Sequence, residues 1–126
     1  MKLIKIIILC LSLSGITIAQ DYSFTMEISN DTVPEGNHFI VRYKLVNING
    51  EFTPPEFADL LLLSGPMSQS VYSVINGKTL QEYSYTYYLR PLKPGKITLG
   101  KAKVQTENDV IYTSESHIIY IENPEN

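Results

Sequence analysis

The sequence has no tryptophan, and its one cysteine is Cys10. Its two histidines, His38 and His117, are separated by most of the chain, and basic residues never cluster. Each lack excludes something. Nucleic acid and anionic lipid surfaces are recognised by grouped Lys and Arg, so neither is an expected partner. Without paired thiols there is no disulfide framework and no thiol redox couple. No G-x-S-x-G, H-E-x-x-H, P-loop or paired-cysteine spacing occurs, so the common hydrolase, metalloprotease and nucleotide-binding chemistries have no motif to stand on. Glu107 and Asp109 flank Asn108 but fall short of the oxygen count of a calcium loop. Catalytic, cofactor-binding and metal-ligating residues are accordingly none.

One apolar run is present at the start. Lys2 and Lys5 precede Ile6 to Leu13, and Thr17-Ile18-Ala19 leads to Gln20. A basic end, a short apolar middle and a small-residue exit make a secretory signal, read here as residues 1–19. The run is interrupted by Ser12, Ser14 and Gly15, so it is too short for a spanning helix of about 20 residues. Cys10 follows Ile8 and Leu9 rather than small residues, which disfavours a lipid anchor. Removing 19 of 126 residues leaves 107 with no cysteine and no transmembrane segment. Eight basic side chains then remain against 13 acidic, net −5. The mature chain is expected to be one exported domain, residues 20–122, with a polar tail over 123–126, in the periplasm or cell envelope.

What fills that domain is period two. Tyr22, Phe24, Met26 and Ile28 alternate with polar residues, and Phe39, Val41, Tyr43 and Leu45 alternate with a set that includes Arg42 and Lys44. Both are half-buried strands. Asn76-Gly77 is the strongest short signal for a two-residue hairpin loop. It sets Val74 opposite Thr79, Tyr72 opposite Gln81 and Ser70 opposite Tyr83, and gives Tyr72, Val74, Tyr83, Tyr85, Tyr87 and Leu89 one core face. Ile97 and Leu99 are out of phase with Ala102 and Val104, which predicts a bulge near Gly100-Lys101. Val110 to Ile121 is one last strand or a bent pair. No helical period runs for three turns. The fold class is all-β: an immunoglobulin-like β-sandwich of seven to eight short strands, without the Cys and Trp of antibody domains.

Glu51 to Gln69 is the least regular stretch. Two prolines in Phe52-Thr53-Pro54-Pro55-Glu56-Phe57 remove ladder donors and exclude a central strand. Leu60 to Leu63 is a short apolar run, and Ser64-Gly65-Pro66 is expected to break it. Phe52-x-Pro54-Pro55-x-Phe57, Leu63-Ser64-Gly65-Pro66, Ile75-Asn76-Gly77-Lys78, Tyr85-x-Tyr87-x-Leu89-x-Pro91 and Pro94-Gly95-Lys96-x-x-Leu99-Gly100-x-Ala102-x-Val104 together resemble the BatD family. These are the "oxygen tolerance" proteins of the bacterial aerotolerance operon, and the resemblance runs from Asp21 to Ile121. It implies an exported β-domain in the cell envelope, encoded alongside von Willebrand-type membrane proteins and a chaperone-like ATPase, with no catalytic residues to carry over. Family members are usually longer, with further β-domains and a C-terminal membrane helix. One domain and no second hydrophobic span are read here, as a stand-alone short relative or an incomplete product, so membrane anchoring is not carried over.

The function expected is a non-catalytic envelope module that binds a protein partner, with other aerotolerance-operon products as candidates. An enzyme of oxidative-stress defence and a carbohydrate-binding sandwich are the alternatives; the first lacks a thiol or cofactor motif and the second lacks tryptophan. The partner-binding residues expected are Phe52, Pro54, Pro55, Phe57, Leu61, Pro66 and Tyr88, with a free sheet edge as a second route. Prolines at 54 and 55 are expected to hold the segment out of the sheet, leaving its aromatic side chains as anchors. The leader yields the first prediction. Mass spectrometry of the exported protein should find Gln20 at its N-terminus; a chain that still begins at Met1, or a lipid on Cys10, would refute the cleavage.

Overall fold

The computed structural model describes residues 22–123. The leader over 1–19 and most of the tail over 123–126 lie outside the described residues. Ten strands follow one another: β1 (Ser23–Ile28), β2 (Thr32–Pro34), β3 (Phe39–Val46), β4 (Glu51–Thr53), β5 (Leu60–Ile75), β6 (Lys78–Pro91), β7 (Gly95–Leu99), β8 (Lys103–Gln105), β9 (Ile111–Thr113) and β10 (His117–Glu122). They form a four-stranded sheet in the order β1-β3-β6-β5 and two three-stranded sheets, β2-β10-β7 and β4-β8-β9. The two smaller sheets share the second layer of a β-sandwich with the immunoglobulin-like arrangement.

The alternation in β3 produces this layering. Phe39, Val41, Tyr43 and Leu45 are all buried, while Arg42 is exposed. Against them pack Val33, Ile97, Leu99, Ile119 and Ile121 from β2, β7 and β10. At the other end, Leu45, Ile48 and Val104 form a second cluster with Phe24, Phe52, Tyr83, Tyr85 and Tyr112 around it. Two long strands, β5 and β6, stand where short ones were expected. Three-residue strands such as β2, β4, β8 and β9 cannot show an alternation, which is why turn spacing predicts too few elements.

The hairpin register is as the turn dictates: Val74 faces Thr79, Tyr72 faces Gln81 and Ser70 faces Tyr83. Asn76 and Gly77 both have positive φ, at 52° and 79°, the backbone of a type I′ loop. The core face assigned to that hairpin needs correction at its far end. Tyr87 and Leu89 are buried and Tyr83 and Tyr85 half-buried, but Tyr72 is 67% exposed and Val74 58%. The reason is length. Pairing of β3 with β6 stops at Val46 and Glu82, and Asn47 adds hydrogen bonds to Gln81 just beyond it. Beyond that point the hairpin runs on as a two-stranded arm with no opposing layer.

Two further expectations are corrected. Ser64-Gly65-Pro66 does not end a strand; β5 runs through it with register shifts between Leu62 and Met67. Gly65 makes this possible, since its φ is +120° and a Cβ there would sit 2.7 Å from the Thr86 carbonyl oxygen. The phase change after Leu99 is likewise not a bulge within one strand. The chain leaves β7, crosses at Gly100–Ala102 and enters a different sheet as β8. Ala102 is held at the crossing by Ser114: its N–H donates to Ser114 Oγ and its carbonyl accepts from the Ser114 N–H, both at 3.0 Å. The C-terminal stretch is the bent pair, β9 and β10, split between the same two sheets.

The tyrosines connect packing to pH. Burial pushes the Tyr87 phenol up to about 12, with nearby Tyr85 adding to the rise. Burial moves Tyr43 further in the same direction, with Tyr87 second among the causes. An unfolded tyrosine titrates near ~10, so the folded state disfavours ionisation. Stability from these groups is complete below about pH 10 and is lost as pH rises through about 12. Loss of the β-sheet circular dichroism should therefore accompany late tyrosinate absorbance; a melting temperature unchanged into that range would contradict the burial. A second test compares neighbours on β6. Tyr87→Ala should lower stability by ~3–5 kcal/mol as a core aromatic truncation, and Tyr88→Ala by less than half as much. The reverse order in urea melts would place the wrong face inside.

Candidate functional site

The seven residues singled out by sequence fall into two groups. Phe52 ends up in packing, because β4 pairs with β8 through Phe52 and Val104 and turns its ring inward. The ring lies parallel to that of Tyr85 at 4.0 Å between centroids and meets Phe24 and Tyr43 at 6.3 and 5.7 Å. Phe57 sits 5.0 Å from the Tyr87 ring and packs on the main core. Pro54 is exposed and Pro55 half-buried, with Pro55 close to Gly100. The prolines do keep this segment out of the ladder, but its aromatic rings are not free anchors. They cover Tyr85 and Tyr87 instead, because an apolar ring face is better covered by another ring than by water.

Leu61, Pro66 and Tyr88 form the second group. Leu61 lies opposite Arg90 and Ser64 opposite Tyr88, so the three residues surround the irregular part of β5. Leu61 and Pro66 are exposed and Tyr88 is half-buried, its ring 6.2 Å from that of His38. Sequence reasoning missed their neighbours. Leu62, Leu63, Met67, Val71, Tyr72, Val74 and Ile75 are all exposed on the same strand. A signal was available: between Asp59 and Lys78 the chain carries no charged residue, whereas exposed edges are ordinarily protected by charge.

β5 is the edge of its sheet, with β6 on one side and no strand on the other among the described residues. Its first half has the devices that blunt an edge, namely two register shifts and Pro66. Its second half, from Met67 to Ile75, pairs with β6 without a shift. What such a surface does chemically is offer backbone hydrogen bonds and apolar side chains together.

Elsewhere the polar candidates do not converge. A wide, open depression of about 950 Å³ is lined by residues 49–51 and 105–109. It holds Glu51, Glu107 and Asp109, yet among the described residues no three His, Cys, Asp or Glu side chains come together as metal ligands. His38 touches Tyr88 on the four-stranded sheet, and His117 begins β10 in the other layer, 3.6 Å from Glu115. No described helix is long and apolar enough to cross a membrane.

The family described as "BatD DUF11 like domain" matches residues 26–121. No curated protein matches the chain. Among solved structures, it is similar to a cohesin module from a Clostridium perfringens family 33 glycoside hydrolase, at 12% identity and a TM-score of 0.38, over 82% of this chain and 99% of that one.

Proposed function

The chain belongs to the BatD family, and from that premise we propose that it is a non-catalytic module of the cell envelope that binds another protein. The observation that carries this reading is the exposed apolar cluster at the start of β5. Leu61, Leu62 and Leu63 stand exposed beside Pro66 and the half-buried Tyr88. Exposed apolar residues grouped along one edge strand mark contact sites more often than scattered single residues do. The strand that carries this cluster is already paired with β6, so a docking partner has little chain left to order. A protein partner is favoured over a sugar, because the surface is aliphatic where sugar platforms use open aromatic faces. The partners to test first are von Willebrand-type membrane proteins, which the BatD resemblance implies are encoded alongside such a chain.

The experiment separates contact from packing. A paired Leu61→Ser, Leu63→Ser variant of the exported protein should keep its melting temperature within a few degrees, since both residues are exposed. Its affinity for the soluble domain of such a von Willebrand-type protein should fall about tenfold or more. Phe57→Ala, by contrast, should lower the melting temperature. Equal affinity of the paired variant and the parent, or no binding by the parent at about 100 μM, would overturn the reading.

A further inference from the structure

The regular half of β5 goes beyond that reading, because it lies outside the Leu61–Pro66 cluster and has its own geometry. In a two-residue hairpin the pair that closes the loop exchanges both backbone hydrogen bonds, and pairs alternate from there. Ile75 and Lys78 close this loop. Val71, Ser73 and Ile75 therefore spend their N–H and C=O groups on β6. Ser68, Ser70, Tyr72 and Val74 direct theirs away from β6, along the free edge. The Gln81 backbone agrees with this phase. Opposite Tyr72, it turns to the other side and bonds Asn47, at 2.8 and 2.9 Å.

We propose that this edge pairs antiparallel with the same edge of a second copy, about a two-fold axis at Val71, joining two four-stranded sheets into one. Three observations favour a second copy as the occupant. First, the edge is self-complementary. With Val71 opposite Val71, Ser70 meets Tyr72 and Ser68 meets Val74, so each of the outward-facing groups finds a partner. Met67 meets Ile75 on the same face as Val71, and all three are more than half exposed in the single chain. Second, the strand has no charge to oppose itself. From Leu60 to Ile75 no residue is Asp, Glu, Lys, Arg or His. The nearest carboxylate on that face is Glu82, opposite Val71 on β6. Two copies of it would stand three strand spacings apart, roughly 14 Å, beyond the screening length of about 8 Å. Third, the bulges and Pro66 that blunt an edge stop at Met67, and the arm beyond Val46 is clear of the second layer. A two-fold contact uses one patch twice, as commonly occurs in soluble dimers.

Sedimentation of the exported protein reads the proposal directly. The parent should form a two-copy species at about 100 μM. Ser70→Pro should shift it to a single copy without lowering the melting temperature, because the N–H removed is one that β6 does not use. The register has its own test. Val71→Lys and Val71→Glu should each be single copies, since each sets like charges face to face, and an equimolar mixture should recover the two-copy species. This charge exchange still decides the matter if the proline variant does not fold. A parent that stays a single copy throughout would overturn the proposal. So would a dimer that survives both Val71 substitutions, or one that pairs only with an unrelated extended peptide. Neither result bears on the Leu61 and Leu63 surface, whose loss is read by partner affinity instead.

Discussion

Most of this structure depends on the register of β6, the strand that pairs with β3 on one side and β5 on the other. Two independent constraints fix it. The Asn76-Gly77 loop sets β5 against β6, and the alternation of β3 places Phe39, Val41 and Tyr43 opposite Leu89, Tyr87 and Tyr85. Both put the same residues of β6 inside. A slip of one residue would exchange Tyr87 for Tyr88 and remove the ring contacts that Tyr43, Phe52 and Phe57 make with Tyr85 and Tyr87. With no thiol after Cys10, a chain of this size has no cross-link to hold an ambiguous register, so agreement between turn and pattern takes that place.

Local signals made the strands legible, and distance made the rest illegible. Residues 39–45 and 83–89 carry a clear period of two, and the hairpin register follows from a single dipeptide. What no local pattern states is where a neighbouring strand ends. Tyr72 and Val74 continue the inner face of the hairpin, and only the stop of β3 at Val46 leaves them in solvent. Phe52 and Phe57 illustrate the same limit from the other side. Their prolines forecast an irregular segment correctly, yet whether its rings look outward or onto Tyr85 and Tyr87 depends on strands 30 residues away. The phase change at Gly100 was visible, but a bulge and a change of sheet leave the same trace in sequence.

The two edges of the large sheet are treated differently. β1 is short, and its Glu27 lies within 3.6 and 3.8 Å of Arg42 and Lys44. Such exposed pairs add little stability, but they place charge at an edge where a foreign strand would have to desolvate it. β5 is the opposite case: long, uncharged and apolar. Its first half is bent out of regular pairing around Gly65, where a close approach to Thr86 excludes any larger residue. Its second half has no such device.

That asymmetry also bears on how stability and association divide the apolar residues. Burying a large aliphatic or aromatic side chain is worth roughly 1.5–3 kcal/mol, and a small domain has few to spare. Here Met67, Val71, Tyr72, Val74 and Ile75 all stay outside the core, so the folded chain takes little from them. A two-stranded ribbon is marginal by itself, yet this one grows out of a four-stranded sheet and is closed by a tight I′ loop. Its backbone is already in strand geometry before anything docks. Association at this edge therefore adds hydrogen bonds and buries apolar area without first ordering the chain, and ordering is the term that most often cancels the gain from contact.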